Sequence, residues 1–496
     1  MSSLARAFAL FTGASVVGSL TQVAKGKLTA TVLGTDGVGI LHQLTNLWSL
    51  LSTLASLGLY NGMVRHLAPA WSEQDRMAFR RQMSTSAILL MLSGVITSLL
   101  GCYFSAILSD WIFDDRGIRS DLICLILLSI PLFVTAQIYR AMLNATRSVN
   151  ALVRARIGAD VMSLVVLVAL IFPFGLKGAI VGYIALHLLY LILSIYFVRS
   201  ILGADVATPT LKLFQEKEIQ KNIGYGVNGI LCVAVGILTT LIASRWIISS
   251  GGLGDNGLYS MAMKVATVYL GGLSSAAGGY YFPALCNVKN NQEMFKLINE
   301  TLSMYMFAIP PIVLTLMLGG ELMMRVLFTP EFIPAAFLLL LILPGDLFRI
   351  SAETVGLSLL ATKRLALSTG SYIVWALVYL GLVSILLPKY GLLGAACSYL
   401  LSHVFNAAQQ LLLAYVVLGY RIDRSTLITL VIGIVAVGIT AVLMFFNQSA
   451  LLNCLIAAVM FAIWFIANWA NPIFQKSVRK ALRALPFSGL GRKYSK

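Results

Sequence analysis

Apolar runs of about 20 residues recur along the whole chain, and no other feature constrains the fold as strongly. A helix of about 20 residues crosses the hydrocarbon core of a bilayer, which is about 30 Å thick. Only 11% of the 496 residues are charged, whereas soluble proteins contain about 25%. The sequence therefore predicts an all-α polytopic membrane protein with about 14 transmembrane helices. The predicted segments are 7–33, 39–66, 83–108, 118–145, 151–174, 177–199, 220–248, 257–285, 295–318, 332–361, 367–387, 391–418, 425–445 and 450–470.

Basic residues are distributed unevenly among the loops that join these segments. If the N-terminus is cytoplasmic, the even-numbered loops and both tails contain about 25 Lys and Arg residues, and the odd-numbered loops contain about five. Cytoplasmic loops of membrane proteins carry such an excess. The pattern predicts a multi-pass protein with both termini in the cytoplasm. It also explains the net charge of +17 by topology and contact with anionic membrane lipids, so we expect no nucleic-acid partner.

The chain contains an internal repeat. The segment "LNATRS" (Leu143–Ser148) matches "LLATKR" (Leu359–Arg364), and "GLKGAIVGYIALH" (Gly175–His187) matches "GLLGAACSYLLSH" (Gly391–His403). Both pairs are offset by 216 residues without gaps. Six helices return a chain to its starting side of the membrane, so the two copies are predicted to be parallel repeats, a common plan among transporters.

The repeat predicts the domain boundaries. A weaker match between "GILHQLTNLW" at 39–48 and "GLYSMAMKVA" at 257–266, at offset 218, extends it to the start of each copy. We expect an N-lobe at 1–205 with six helices, and a C-lobe at 206–420 with six more after a cytoplasmic linker at 200–220. Residues 421–496 then hold helices 13 and 14 and a basic cytoplasmic tail. These two helices either pack at the edge of the bundle facing lipid or line a groove for a long apolar tail.

The cysteines do not suggest a site. All six lie in apolar segments, which predicts neither a disulfide framework nor a metal site, and they can serve as small hydrophobic residues. They are Cys102, Cys124, Cys232, Cys286, Cys397 and Cys454. The sequence also has no GxxxxGK[ST] loop for binding ATP.

The first third of the N-lobe resembles a known family. Gly26–Ala68 contains Gly26-Lys27-Leu28, a glycine-rich turn at Gly34–Gly39, and "YNG" at Tyr60–Gly62 followed by Arg65. In these residues the chain is similar to Wzx-type O-antigen and polysaccharide flippases of the MOP superfamily, which also contains MATE exporters and MurJ lipid II flippases. Two helices beyond the usual twelve also make the chain similar to MurJ-like proteins.

The resemblance implies a function. Such proteins move a polyprenyl-diphosphate-linked oligosaccharide from the cytoplasmic to the periplasmic leaflet of the bacterial inner membrane, by alternating access of two lobes and without ATP. The implied partners are this lipid-linked substrate, membrane lipids and the polysaccharide polymerase machinery. No cofactor is implied apart from possible coupling to Na⁺ or protons.

Two other functions fit the architecture less well. A MATE-type exporter of cationic drugs needs carboxylates in its cavity, and segments 1, 2, 7 and 8 contain no Asp or Glu. A membrane-embedded glycosyltransferase or polymerase usually has a large periplasmic loop, and the longest predicted one here spans about a dozen residues around Ser109–Ser120. A MurJ-like lipid II flippase stays open as a third alternative.

A charged diphosphate crossing the bilayer needs cationic side chains at membrane depth, because Arg and Lys neutralise phosphate. A charge at the bilayer centre costs about 2.5–3.5 kcal/mol on insertion scales, so it usually faces a cavity or a partner. Each candidate also has a structural alternative, such as snorkelling to the interface. The candidates within the segments are Lys25, Lys27, Arg140, Arg245, Lys264 and Arg349, with Arg65 at the cytoplasmic rim and His42 and Asn46 as possible contacts to sugar hydroxyls.

Segment 10 carries the densest group of charges. Asp346, Arg349 and Glu353 in "GDLFRISAET" share one helical face. Either they form a neutralised polar network between helices, or they form a proton or Na⁺ site that couples an ion gradient to lobe movement. Asp346 and Arg349 are the expected ion pair, which leaves Glu353 as the expected titrating group. His403 in segment 12 is a further candidate for ion coupling, although such a histidine is commonly a packed core residue.

Lys25 and Lys27 cannot share a helical face, because two residues along a helix turn about 200°. Periodicity favours Lys25 as the phosphate ligand, since it lies in a polar stripe, and Lys27 as a snorkelling residue. The family resemblance favours Lys27, and in the repeat Lys27 matches Arg245. A bend at Gly26 would allow both lysines to face the cavity.

Overall fold

The computed structural model describes residues 3–114, 117, 120–203, 208–276, 281–447 and 449–469. Side chains at 3–16, 216–228, 270–276, 450–451 and 467–469 are not described. Most of the predicted basic tail therefore lies outside the described residues. The helices are α1 Ser3–Ala55, α2 Leu59–Ser72, α3 Arg76–Tyr103, α4 Ser105–Phe113, α5 Ser120–Leu127, α6 Ile130–Ala145, α7 Val149–Leu202, α8 Glu216–Gly251, α9 Leu253–Ala276, α10 Phe282–Cys286, α11 Asn291–Leu318, α12 Gly320–Leu327, α13 Ala335–Ala361, α14 Leu365–Leu418, α15 Arg424–Phe446 and α16 Ala450–Trp469.

Three of these helices are each two helices joined at a glycine. The non-helical residues are Gly34 in α1, Gly175 in α7 and Gly391 in α14, with φ of 63°, 53° and 56°. Counting these halves, taking α5 with α6 as one span and setting aside the shorter α2, α4, α10 and α12, the described residues form the 14 predicted long helices. Eight helices among the described residues are long and apolar enough to cross a membrane. The predicted fold class, an all-α polytopic membrane protein, is confirmed.

The backbone repeats at the same offset as the sequence. A methyl group on Gly178 would lie 2.0 Å from the carbonyl oxygen of Leu170, and one on Gly394 would lie 2.1 Å from that of Leu386. Each glycine therefore lets the second half of its helix fold back tightly against the first half. The two contacts are 216 residues apart, as predicted from the sequence match.

The turns that end α6 and α13 repeat as well. Arg147 and Lys363 both adopt a left-handed backbone, with φ of 55° and 60°. In each turn the next residue donates its backbone N–H to a carbonyl five residues earlier, from Ser148 to Leu143 and from Arg364 to Leu359. This is the Schellman arrangement, in which the left-handed position is usually glycine.

The second helices of the two copies, the second half of α1 and α9, approach each other at two glycines. A methyl group on Gly39 would lie 2.0 Å from the carbonyl oxygen of Leu253, and one on Gly257 would lie 2.1 Å from that of Thr35. Offset 218 relates the two glycines and also the two carbonyls, so the contact is symmetric. The buried Asn256 side chain donates from Nδ2 to the carbonyl oxygen of Gly39 at 2.9 Å.

Packing divides the chain into two compact units. The first contains 1–261 and 325–332, and the second contains 262–324 and 333–496. Thus α8 packs within the first unit, against α1 and α2. Compact packing and sequence repetition are different criteria, so the lobes at 1–205 and 206–420 stay a prediction.

A buried core in the first unit surrounds Trp48. Its indole Nε1 donates to Ser129 Oγ at 2.8 Å, and its ring stacks on His187 with centroids 4.4 Å apart. Phe133 and Tyr183 pack edge-on against the same indole. These contacts join α1, α6 and the second half of α7.

In the second unit, α15 packs against α11 and α13, and α16 packs against α15 and α11. The Asn299 side chain of α11 accepts from Tyr420 Oη at 2.8 Å and from the backbone N–H of Asp423 at 3.3 Å. Ser303 and Thr426 exchange a hydrogen bond of 2.8 Å one turn further on. Buried polar contacts therefore fix the start of α15.

Candidate functional site

Lys25 is held inside the first unit by the first half of α7. Its Nζ donates to Ser163 Oγ at 2.7 Å, and the Ser163 hydroxyl donates to the backbone carbonyl of Asp160. Arg156 Nε lies 2.9 Å from Asp160 Oδ2. Residues 156, 160 and 163 share one helical face because they are spaced by four and three. We call Lys25, Arg156, Asp160 and Ser163 the Lys25 cluster. Because it contains two cations and one carboxylate, the cluster carries one net positive charge.

The Lys25 cluster has one open acceptor. Asp160 is fully buried, and its Oδ1 makes no hydrogen bond to any described residue. Buried polar atoms are costly when they lack a hydrogen-bond partner, so this oxygen is an open acceptor for a donor group. The cluster therefore joins a net positive charge to a buried carboxylate oxygen without a hydrogen-bond partner among the described residues.

Lys27 makes a different contact from Lys25. Lys27 is exposed, and its Nζ donates to the carbonyl oxygen of Val326 at 2.8 Å, in the last turn of α12. Its counterpart in the repeat, Arg245, donates from Nε to the carbonyl oxygen of Trp111 in the last turn of α4. Cations stabilise the unpaired carbonyls at a helix C-terminus. Both contacts are therefore those of helix caps.

Further contacts place Arg245 against the segment that follows α4. Its Nη2 lies 3.3 Å from Asp114 Oδ1, and its guanidinium carbon lies 5.6 Å above the Trp111 ring. The aromatic partner of Arg245 thus comes from α4. The bend at Gly26 that would let both lysines face one cavity is not observed: Gly26 keeps helical backbone angles, and α1 breaks at Gly34.

Arg140 and Tyr60 form a second polar group in the first unit. The guanidinium carbon of Arg140 lies 4.7 Å from the centre of the Tyr60 ring, and Asn144 Nδ2 donates to Tyr60 Oη at 3.1 Å. Arg140 and Arg65 are both exposed. Tyr60 begins the "YNG" motif, so the motif residue contacts a predicted cation on α6.

The other predicted site residues, His42, Asn46 and Lys264, are partly buried. His42 Nε2 and Asn46 Nδ2 lie 3.1 Å apart, one turn apart on the second half of α1. The two side chains therefore lie on the same helical face. Lys264 lies in α9 within the second unit and is also partly buried.

A buried carboxylate lies at the centre of the polar group in the second unit. Asp346 is fully buried. Its Oδ1 accepts from Tyr399 Oη at 2.6 Å, and its Oδ2 accepts from Tyr269 Oη at 2.9 Å. Arg349 Nη1 donates to the same Tyr399 hydroxyl at 3.2 Å. The hydroxyl of Tyr399 therefore links the arginine to the carboxylate, and the group joins α9, α13 and α14.

Arg349 lies between the two carboxylates of α13 and pairs with both of them. Arg349 Nε lies 3.0 Å from Glu353 Oε1, whereas its Nη1 lies 3.7 Å from Asp346 Oδ1. The Glu353 side chain is 50% exposed, and that of Asp346 is 0% exposed. Glu353 is thus the closer ion-pair partner, and Asp346 is the secluded carboxylate with neutral donors.

His403 packs beside this group rather than within it. Its ring centre lies 4.4 Å from that of Tyr399 and 5.2 Å from that of Trp375. Its Nδ1 makes no hydrogen bond to a described residue. The repeat preserves the pair, since Tyr183 and His187 lie 5.1 Å apart in the first unit.

The charged residues beside Tyr399 and His403 have no charged counterparts beside Tyr183 and His187. At offset 216, Asp346 corresponds to Ile130 and Arg349 to Phe133. The first copy therefore has an apolar version of the position where the second copy has a buried carboxylate. Sequence analysis missed Tyr269 and Ser163 as partners. Tyr399 lay within the matched segments, where the Tyr–x₃–His spacing recurs.

No metal centre is found among the residues that the structure describes: they contain no group of three or more His, Cys, Asp or Glu side chains placed to hold a metal ion. These residues include one charged group with a net positive charge in the first unit and another built on a buried carboxylate in the second.

Comparison with curated proteins finds remote relatives that cover most of the chain. A "Putative O-antigen transporter" of Shigella flexneri is 24% identical over 363 residues, which are 71% of this chain and 83% of that protein. The "Lipid III flippase" of Escherichia coli K12 is 21% identical over 409 residues, which are 81% of this chain and 96% of that protein.

Solved structures share the fold at low identity. An inward-facing MATE family transporter of the MOP superfamily matches with a TM-score of 0.69 and 14% identity over 80% of this chain and 94% of that one. The lipid II flippase MurJ in an inward closed conformation matches with a TM-score of 0.67 and 13% identity over 93% and 98%. At these identities the match shows the fold alone.

The family is shown by sequence. The profile of the family described as "Polysaccharide biosynthesis protein" matches residues 26–289, more than half of the 496 residues. The match includes the segment from Gly26 to Ala68 and all residues of the Lys25 cluster except Lys25 itself, which lies one residue before it. This multi-pass helical chain therefore belongs to the polysaccharide biosynthesis protein family, within a fold shared with MOP-superfamily transporters.

Proposed function

We propose that this protein is a transporter, and not an enzyme, that moves a polyprenyl-diphosphate-linked oligosaccharide across the bacterial inner membrane. The cargo passes from the cytoplasmic to the periplasmic leaflet by alternating access, with both termini in the cytoplasm. Family membership, an O-antigen transporter and a lipid III flippase among the relatives, and the basic loop pattern support this proposal. The single observation that carries it is the Lys25 cluster.

Lys25 suits a diphosphate because its positive charge is partly buried and only partly neutralised. It has a serine hydroxyl as its hydrogen-bond acceptor, while Arg156 pairs directly with the cluster's carboxylate. An arriving diphosphate offers Lys25 several charged acceptors, which form stronger hydrogen bonds than a neutral hydroxyl does. The contact with Ser163 thus holds the lysine in place without saturating it.

Lys27 serves as an internal comparison. It lies two residues away, carries the same charge and already binds a backbone carbonyl at a helix end. Under this proposal Lys25 binds the headgroup and Lys27 supports α12. The alternative in which both lysines bind substrate requires the Lys27 cap to be released.

We assign ion coupling to Asp346 rather than to Glu353. A proton on either carboxylate oxygen converts that oxygen from an acceptor to a donor, so the tyrosine hydroxyl facing it must rotate. Rotation of the Tyr399 hydroxyl also alters its contact with Arg349, which in turn pairs with Glu353. Protonation at one buried atom therefore changes contacts between α13, α14 and α9. A Na⁺ ion would act by displacing the same hydroxyl donors.

The experiment that tests the function is complementation of flippase-deficient strains that make different glycans. We expect the wild-type protein and Lys27→Gln to restore surface glycan in at least one strain, and Lys25→Gln to fail at equal membrane abundance. If no strain is restored and the protein instead exports cationic drugs, the MATE-type alternative replaces the proposal. Restoration by Lys25→Gln at wild-type level would refute the assignment of the headgroup site.

A further inference from the structure

Two cysteines face each other across neighbouring helices of the first unit. Cys102 lies in the last turn of α3, and Cys124 lies in the second turn of α5. The Sγ of Cys102 is 3.8 Å from the carbonyl oxygen of Cys124, and the Sγ of Cys124 is 3.7 Å from the carbonyl oxygen of Cys102. Because each thiol reaches the other residue's backbone, the two side chains lie directly opposite each other.

The surrounding contacts hold the two helices at this distance. Ser98, one turn before Cys102, donates from Oγ to the carbonyl oxygen of Leu127 at 3.0 Å. A methyl group on Gly101 would lie 2.5 Å from Leu127 Cδ1. Bridging two cysteines requires their Cα atoms to lie about 4.4–6.8 Å apart, and the reciprocal thiol-to-carbonyl contacts bring Cys102 and Cys124 close together on these two packed helices.

We propose that Cys102 and Cys124 form a disulfide bond in the cell. This inference rests on the orientation in the proposed function, which places the segment between α3 and α5 on the periplasmic side. Disulfides form and persist in the bacterial periplasm. Both cysteines are partly exposed. The bond gives two of the six cysteines a role beyond that of the small hydrophobic residues expected from the sequence.

The oxidant is a protein disulfide of the periplasmic thiol-oxidase class. The thiolate of one cysteine attacks a sulfur of the oxidant's disulfide, which releases one oxidant thiolate and forms a mixed disulfide. The second cysteine's thiolate then attacks the first cysteine's sulfur and releases the other oxidant thiolate. One S–S bond forms and one breaks, two protons leave the substrate thiols, and the oxidant is reduced by two electrons.

The bond would close the segment that Arg245 contacts. Between Cys102 and Cys124 lie α4, whose Trp111 carbonyl accepts from Arg245, and Asp114, which pairs with the same guanidinium. Fixing both ends of this segment restricts the motion of α4. The disulfide therefore supports the cap that joins α4 to α8.

Differential thiol labelling in cells tests the bond without any transport assay. Cells are quenched with acid, the protein is denatured in SDS and free thiols are alkylated with one maleimide; the protein is then reduced and labelled with a second. We expect Cys102 and Cys124 to carry the second label and the other four cysteines the first. Both residues carrying the first label would overturn the proposal.

Variants separate this bond from adventitious oxidation and from the proposed function. In Cys102→Ser, we expect Cys124 to become labelled before reduction, whereas Cys232→Ser leaves the pair unchanged. Reductant should lower the thermal unfolding midpoint of the wild type but not of Cys102→Ser; an equal drop in both would contradict a stabilising bond. If Cys102 and Cys124 are oxidised but complementation fails, the proposed cargo is refuted and the disulfide stands. If both thiols are free but complementation succeeds, the disulfide is refuted and the proposed function stands.

Discussion

Replacing Gly39 with alanine places a methyl group against the backbone of the other repeat. The added carbon would lie 2.0 Å from the carbonyl oxygen of Leu253, whereas ordinary contacts begin at 3.4 Å. The two helices must therefore separate by about 1.4 Å, since a backbone atom cannot move aside as a flexible side chain can. Gly257→Ala imposes a similar separation from the opposite side of the same crossing.

The separation has two costs. Overpacking of a tight interior typically costs about 1–3 kcal/mol. The same movement lengthens the 2.9 Å bond from Asn256 Nδ2 to the Gly39 carbonyl beyond hydrogen-bonding range, and a buried polar group left unpaired costs about 1–3 kcal/mol. We expect either substitution to lower the free energy of unfolding by about 3 kcal/mol.

The double variant provides the sharper measurement. One separation of the helices accommodates both methyl groups, so Gly39→Ala with Gly257→Ala should cost less than the sum of the two single variants, with a coupling of about 0.5–3 kcal/mol. Unfolding midpoints in detergent, followed by tryptophan fluorescence, give the comparison. Gly381→Ala is the control, because nothing lies within 4 Å of the added carbon. The close contact between the two helices would be refuted if the single variants unfold at the same midpoint as Gly381→Ala. It would also be refuted if the stability losses of the two single variants add exactly in the double variant.

Three further predictions concern the second unit. Asp346→Asn should make uptake of lipid-linked substrate into inverted vesicles independent of an imposed proton or Na⁺ gradient; retained dependence would place coupling elsewhere. Tyr399→Phe removes a donor to a buried carboxylate and should lower the free energy of unfolding by about 1–3 kcal/mol, whereas an unchanged midpoint would contradict the geometry. Asn299→Ala leaves the Tyr420 hydroxyl without its acceptor and should destabilise the protein by a similar amount, with α15 exchanging backbone hydrogens faster; unchanged exchange would contradict its anchoring role.

Hydropathy predicted the helices because a membrane-spanning segment must be long, apolar and internally hydrogen-bonded. The breaks at Gly34, Gly175 and Gly391 fall where apolar segments meet, and glycine is favoured there because φ is positive. Here a local rule and the observed structure agree. The internal repeat could also be predicted from the sequence, because its two copies preserve both the residues and the geometry of the turns.

Side-chain partners were less predictable, for a physical reason. Helical periodicity separated Lys25 from Lys27, but which residue each one contacts depends on the rotation and depth of another helix. Ser163 lies 138 residues from Lys25, and no local spacing relates them. In α13 the shared face of the three charged residues was evident, yet side-chain rotamers decided that Glu353 lies closer to the arginine than Asp346.

The left-handed turns at Arg147 and Lys363 bear on how the chain enters the membrane. A non-glycine residue in this conformation costs about 1–2 kcal/mol relative to a right-handed one, and glycine would remove that cost. The two turns nevertheless hold long basic side chains, which orient helices during insertion. Orientation is decided once, while the chain is being synthesised, whereas local strain persists for the lifetime of the protein. Under the proposed orientation, a lasting loss of stability at these two positions accompanies a signal that is needed only during biogenesis.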